Sequence, residues 1–302
     1  MKKVILILSA AALMVACNKG LDMGDKVSDK LSDTPITFSL MDMDAQVSTK
    51  AITDITSTNI GSIYVSASSG TAGSAEAAWS TLNNSAVTIN SSGSGTSSAY
   101  WPASGSLSFY ATSWSIAKTI AASGATSAVT YAGGTSDHVA GFASAVANKS
   151  SVAITMNHIY SRLYDIKLAT TAGATATVNS VSVTPALTKG TYTFRTNAWT
   201  STSTAGSAIS ITPTTTAMTT TSTSIGQSAV DRTFIPGNVT ISVTYTVTRS
   251  GFSKQYTKSA TVALPQGQKS TVTATLSDDA SPISFTVTVT PWTTGNINAT
   301  LQ

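Results

Sequence analysis

The chain has 302 residues, a net charge of +4 and a charged fraction of only 10%, with 41% apolar residues. About 25% charged residues is usual, and the wet faces of long amphipathic helices need Glu, Lys and Arg, so one glutamate (Glu76) in the whole chain excludes a helical architecture. No cluster of Lys or Arg is interleaved with aromatics, which excludes a nucleic-acid binder, and the length suits roughly two domains of about 100–150 residues.

The N-terminus opens with the charged "MKK" and continues with the apolar "VILILSAAALMV", too short for the ~20 residues that span a bilayer. It ends in Met14-Val15-Ala16-Cys17, which resembles the lipobox of bacterial lipoproteins. That resemblance implies a signal peptide over 1–16, cleavage between Ala16 and Cys17, and a diacylated Cys17 sulfur. Acyl chains hold a protein to a membrane at about 0.8 kcal/mol per buried methylene. Asn18 in the next position is compatible with transport to the outer membrane. Cys17 is also the only cysteine, so thiolate metal sites and thiol catalysis are excluded.

Residues 18–33 are polar and read as a tether. Ile36, Phe38 and Leu40 then alternate with polar residues, the pattern of a short strand. The glycine- and alanine-rich "GSAEAAW" at 73–79 is the best helix candidate. Strand patterns recur at 60–67, 85–90, 107–112 and 151–156. "IYSRLYDIKL" at 159–168 sets Tyr160, Tyr164, Ile166 and Leu168 on one face, and His158 sits at the start of that strand. "DHVAGFASAVANK" fits a strand or a loop. The low-complexity stretch 200–224 reads as a long loop holding one strand, Ile209 to Ile211. "VTISVTYTVT" at 239–248 alternates Val239, Ile241, Val243, Tyr245 and Val247, and "ISFTVTVTPW" closes the series. Short strands with Gly, Pro, Asn and Ser between them predict antiparallel β-sandwiches. The domain boundary falls near 168, giving units 51–168 and 169–302.

Chemistry is hard to place on this chain. Its two histidines, His138 and His158, have no metal-ligand or nucleophile motif around them, and no pair of glutamates exists. Asp278-Asp279 suits a turn. No catalytic residue, metal ligand or cofactor is expected, and the chain does not read as an enzyme.

One stretch, "SAYWPASGSLSFYATSW" at 98–114, joins an aromatic-Trp-Pro, a glycine turn and an alternating strand. With Thr49-Lys50-Ala51, Ile63-Tyr64-Val65, "SDHVAGFASA" at 136–145, "VAITMNHIYSRLYDIKL" at 152–168, "LPQGQKSTVTATL" at 264–276 and "ISFTVTVTPWTTGN" at 283–296, it resembles, in order, the fimbrillin-like proteins of Bacteroidales, subunits of type V pili. The resemblance implies two tandem transthyretin-like β-sandwiches on the outer membrane or in a surface pilus, serving adhesion or biofilm formation. It implies that residues 17–50 are a lipidated tether and a removable first strand whose plugs are Ile36, Phe38 and Leu40. A surface protease would cut at Lys50-Ala51, where the family usually has arginine. Another fimbrillin subunit would then fill the slot by strand addition. A donor strand is expected from the C-terminus, with Ile297, Ala299 and Leu301 alternating. The alternative is a glycan-binding surface lipoprotein using exposed tryptophans, Trp101 and Trp199 first among Trp79, Trp114 and Trp292.

Overall fold

Alternating β-branched and aromatic residues produce strands almost everywhere in the computed structural model, which describes residues 31–41, 54–56, 59–202, 204–277, 283 and 285–292. In the first half these are β1 (Leu31–Met41), β2 (Ser62–Ser69), β3 (Ala77–Trp79), β4 (Ser85–Thr88), β5 (Ser94–Pro102), β6 (Ser106–Thr112), β7 (Thr119–Ala121), β8 (Gly124–Thr130), β9 (Val139–Ala147) and β10 (Val152–His158). The second half adds β11 (Ser161–Thr170), β12 (Thr175–Pro185), β13 (Lys189–Thr193), β14 (Ala198–Thr202), β15 (Ile209–Ile211), β16 (Ala217–Met218) and β17 (Thr223–Ser224). A single turn of helix, α1 (Gln227–Val230), precedes β18 (Arg232–Phe234), β19 (Gly237–Arg249), β20 (Phe252–Leu264), β21 (Gln268–Leu276) and β22 (Phe285–Pro291). Among the described residues no helix is long and apolar enough to cross a membrane.

An eight-stranded sheet runs β3-β2-β6-β9-β10-β1-β5, with β4 also on β2. Its inner face carries Ile36, Ile63, Val65, Trp101, Phe109 and Ile154, all at 0% exposure. In the second half a sheet ordered β17-β11-β21-β22 faces one ordered β15-β12-β19-β20 across a second core. There Val239, Ile241, Val243, Tyr245 and Val247 of β19 all point inward, as their alternation requires. A four-stranded sheet, β14-β13-β8-β7, joins the halves, because β8 pairs with β13. It covers a third core holding Tyr110, Tyr160, Tyr192, Phe194 and Trp292.

The all-β, largely antiparallel architecture is as expected, and local readings are corrected. Two strand pairs are parallel, β1 with β10 and β11 with β21, in a fold otherwise antiparallel. Parallel neighbours need long crossovers, and both join segments far apart in the chain. The helix expected over 73–79 is a turn leading into β3. Gly70 (φ +99°) closes that turn, and a Cβ there would lie 2.2 Å from the Ala75 carbonyl oxygen. Glu76 and Trp79 point into the interior instead of lining a helix face. In β11 the pairing register shifts between Leu163 and Asp165, so Leu163 joins Ile166 and Leu168 in the core. Tyr160 packs in the third core, and Tyr164 lies against Arg162, 5.6 Å from its guanidinium carbon. Residues 161–168 hydrogen-bond to β17, β18 and β21, all of the second half. The strand Ile209 to Ile211 is present as expected, and "VAGFASAVA" forms β9.

Candidate functional site

The first strand is the feature to build from. β1 lies inside the large sheet with a partner on each side: parallel to β10 (Phe38 opposite Val152, Leu40 opposite Ile154) and antiparallel to β5 (Phe38 opposite Gly95, Ser39 opposite Ser94). A proline cannot donate to a ladder and is tolerated at irregularities. Pro35 sits where the β1–β5 register shifts.

Ile36, Phe38 and Leu40 all point into the core, as their alternation predicts. Ile36 is 0% exposed, Phe38 1% and Leu40 7%. The Phe38 ring meets Phe109 edge-on at 5.5 Å, and Phe109 meets Trp101 edge-on at 5.6 Å. Opposite Phe38, Gly95 has no room for a Cβ, which would lie 2.4 Å from the Thr88 oxygen. Burying three such side chains is worth roughly 5–8 kcal/mol.

The next described segment, Asp54 to Thr56, is pinned by charges. Asp54 Oδ2 accepts from Lys269 Nζ at 2.7 Å, and Asp54 Oδ1 accepts from Arg162 Nη1 and from the Trp292 indole. Arg162, fully buried, also donates through Nε and Nη2 to the two carboxylate oxygens of Asp231, each at 2.6 Å. Two carboxylates thus face two cations in a dry site, the arrangement that makes burial of charge tolerable. Burial alone would raise the pKa of Asp54, but the Lys269 hydrogen bond and the charges of Arg162 and Lys269 hold it below the ordinary carboxylate range. Burial likewise works against the charge on Arg162, and Asp231 more than restores it. One residue on, the Ile55 amide donates to Asp137 Oδ2 at 2.8 Å, while Asp137 Oδ1 pairs with His158 Nδ1 at 2.9 Å. The His158 ring stacks on Trp292 at 4.4 Å. His158 therefore ends an interior strand instead of starting an edge, and its neighbours occupy it structurally.

A second buried group ties the halves together. Glu76 accepts from the Tyr110 hydroxyl and from Arg195 Nη2, the latter at 2.6 Å. Burial, then the Glu76 hydrogen bond, pushes the Tyr110 pKa up to about 12. Nearby, Lys118 is buried with neutral oxygens around its ammonium, Thr112 Oγ1 at 3.0 Å and Asn84 Oδ1 at 3.1 Å. Burial lowers its pKa to about 7. A folded-state pKa below the unfolded value of about 10.4 means the unfolded chain binds more protons between the two, so stability rises with pH through that window. Denaturant titrations at pH 7, 8 and 9 are expected to show that rise, and Lys118→Met to flatten it.

Among the described residues, no group of three or more His, Cys, Asp and Glu could hold a metal. Three of the five tryptophans are buried and two are partly buried. Trp101 is 0% exposed, Trp292 1% and Trp79 9%. Trp114 lies on His138, and Trp199 is committed through its indole to the Ile159 oxygen at 2.7 Å. Ala16, Cys17, Lys50, Ala51, Ile297, Ala299 and Leu301 lie outside the described residues, as does the Asp278-Asp279 pair.

A profile described as fimbrillin-like matches residues 49–292. No curated protein sequence matches the chain. Among solved structures, a fimbrial protein from Bacteroides vulgatus shares the fold at a TM-score of 0.64 with 15% identity, covering 86% of this chain and 100% of its own. A fimbrial assembly protein from Parabacteroides distasonis aligns at 0.37 with 11% identity, over 85% and 97% of the two chains.

Proposed function

The chain belongs to the fimbrillin-like family, and from that premise we propose that it is a structural subunit of a cell-surface pilus, assembled by releasing β1 and filling its slot with a strand from another subunit. The observation that carries this reading is the position of β1. It is an interior, doubly paired strand bearing three core side chains, yet it precedes the family-matched region, which starts at residue 49. A strand so placed closes the core from outside the family-matched region.

In this reading Cys17 carries the lipid that delivers the precursor to the outer membrane, and a surface protease cuts Lys50-Ala51. The cut separates lipid and β1 from the remainder. An opened sheet with an uncovered core is costly, and this drives capture of a neighbour's strand. Asp54 lies four residues beyond Lys50, and its ion contacts retain the new N-terminal segment on the body. The partners are other fimbrillin subunits. Adhesion or biofilm growth is the purpose of the assembled fibre.

Limited trypsin treatment of the soluble, unlipidated chain tests this. The expected product starts at Ala51, stays uncut at the buried Arg162, and multimerises on size-exclusion chromatography. A cleanly cut product that remains monomeric and keeps β1 contradicts the proposal.

A further inference from the structure

The hairpin of β19 and β20 outruns the core it closes. Its strands have 13 residues each and pair from Gly237 opposite Leu264 to Arg249 opposite Phe252. Side chains alternate between the two faces of a strand. The face that carries Val239, Ile241, Val243, Tyr245 and Val247 on β19 therefore carries Val262, Ala260, Lys258, Tyr256 and Lys254 on β20. Val262 is buried, Ala260 and Tyr256 are half-buried, and Lys254 and Phe252 are exposed. The inward face thus changes along its length from aliphatic to cationic and aromatic. Ser250 (φ +49°) and Gly251 (φ +81°) close the tip with the two left-handed residues that a tight hairpin turn requires.

The outer part of that face is concave. A cleft of about 540 Å³ lies among Val247, Arg249, Phe252, Lys254 and Tyr256. Phe252 is 84% exposed, more than any other large apolar side chain among the described residues. The Tyr256 ring is backed by Tyr245, stacked at 5.7 Å, and Lys254 Nζ lies 5.1 Å from the Tyr256 ring centre. Arg249 is steadied by a hydrogen bond from Nη2 to the Ala172 oxygen at 2.9 Å. Two aromatic rings and two cations, drawn from both strands, thus line one cleft.

These are the parts that recognise an acidic sugar. The C–H groups on one face of a pyranose carry slight positive charge and settle on the negative face of an aromatic ring. A carboxylate or sulfate on the same sugar accepts charge-assisted hydrogen bonds from Lys and Arg. The cleft's volume is in the range that holds small ligands. A single exposed ring is too little apolar surface for a membrane anchor, which presents several. We propose that the cleft at the tip of the β19–β20 hairpin binds an acidic saccharide, with Phe252 stacked on the sugar ring and Lys254 and Arg249 paired with its carboxylate or sulfate. This site is separate from the β1 slot and needs no strand release. Repeated along a fibre, even a weak site of this kind acts through avidity.

Calorimetric titration of the full chain carrying Cys17→Ser tests the assignment. The probes are digalacturonate and sulfated galactobiose, with galactobiose as the neutral comparison and phosphatidylglycerol vesicles as the membrane comparison. At least one acidic disaccharide is expected to bind with a Kd of about 1 mM or tighter, and about tenfold or more tightly than galactobiose. Added salt should weaken that binding. Phe252→Ser and Lys254→Gln are each expected to weaken it about tenfold. Both side chains are exposed, so the urea midpoint should stay in place. Lys189→Gln, at an exposed lysine of β13, is the control and should leave binding unchanged. No binding of either acidic disaccharide, equal binding of galactobiose, or acidic binding that survives both substitutions would overturn the proposal. Binding to the vesicles alone would overturn it in favour of a lipid surface.

Discussion

Phe38→Ala is expected to destabilise the uncut chain by about 3–5 kcal/mol, the usual cost of emptying a buried aromatic site. The ring is 1% exposed and makes an edge contact with Phe109, which in turn holds Trp101, so its loss leaves a cavity at the centre of the first core. Urea denaturation of both proteins measures the difference. Met41→Ala, on the same strand but 47% exposed, is the control and should change stability by no more than about 0.5 kcal/mol. The strand-release reading adds a kinetic consequence. A stopper missing its central plug dissociates faster, so Phe38→Ala should multimerise sooner after the Lys50 cut.

Arg162→Met is expected to cost about as much, roughly 3–5 kcal/mol, for a different reason. The change leaves Asp231 buried without its bidentate partner, and Asp54 with only Lys269 and the Trp292 indole. The same cluster predicts a pH dependence. A carboxylate whose folded pKa lies below its unfolded value contributes stability above the unfolded value, near 3.9, and loses it as pH falls through the folded one. Acid titrations should show this loss, and Asp54→Asn should reduce the slope at the acid end. Asp165 acts in the opposite sense. Burial raises its pKa despite the hydrogen bond from Ser224, so the informative quantity is the difference between the native chain and Asp54→Asn.

The strands were legible where apolar residues alternate cleanly. Ile36, Phe38 and Leu40 could be read from sequence alone as an inward face, as could the β19 series from Val239 to Val247. Ser- and Ala-rich strands such as β8, "GATSAVT", carry too little hydrophobic contrast to register. The residues 73–79 misled because alanine favours helices, while the deciding interactions, Glu76 with Tyr110 and Arg195, come from 34 and 119 residues away. The ion cluster was hidden for the same reason. Asp54, Arg162, Asp231 and Lys269 are scattered along the chain, and no local spacing links them. The available signal was an arginine set among apolar residues in "YSRLYDIKL", in a chain with very few charges. Parallel pairing of β1 with β10 is likewise a relation between distant segments that alternation alone does not reveal.

The central claim, that β1 is a plug a neighbour replaces, is tested most directly by native mass spectrometry of the trypsin-cut chain. Trypsin also cuts after Lys30, so β1 travels as the fragment 31–50. The account predicts that monomers still hold this fragment without a covalent link and that multimers contain only chains beginning at Ala51. Multimers in which every subunit retains the 31–50 fragment would contradict it.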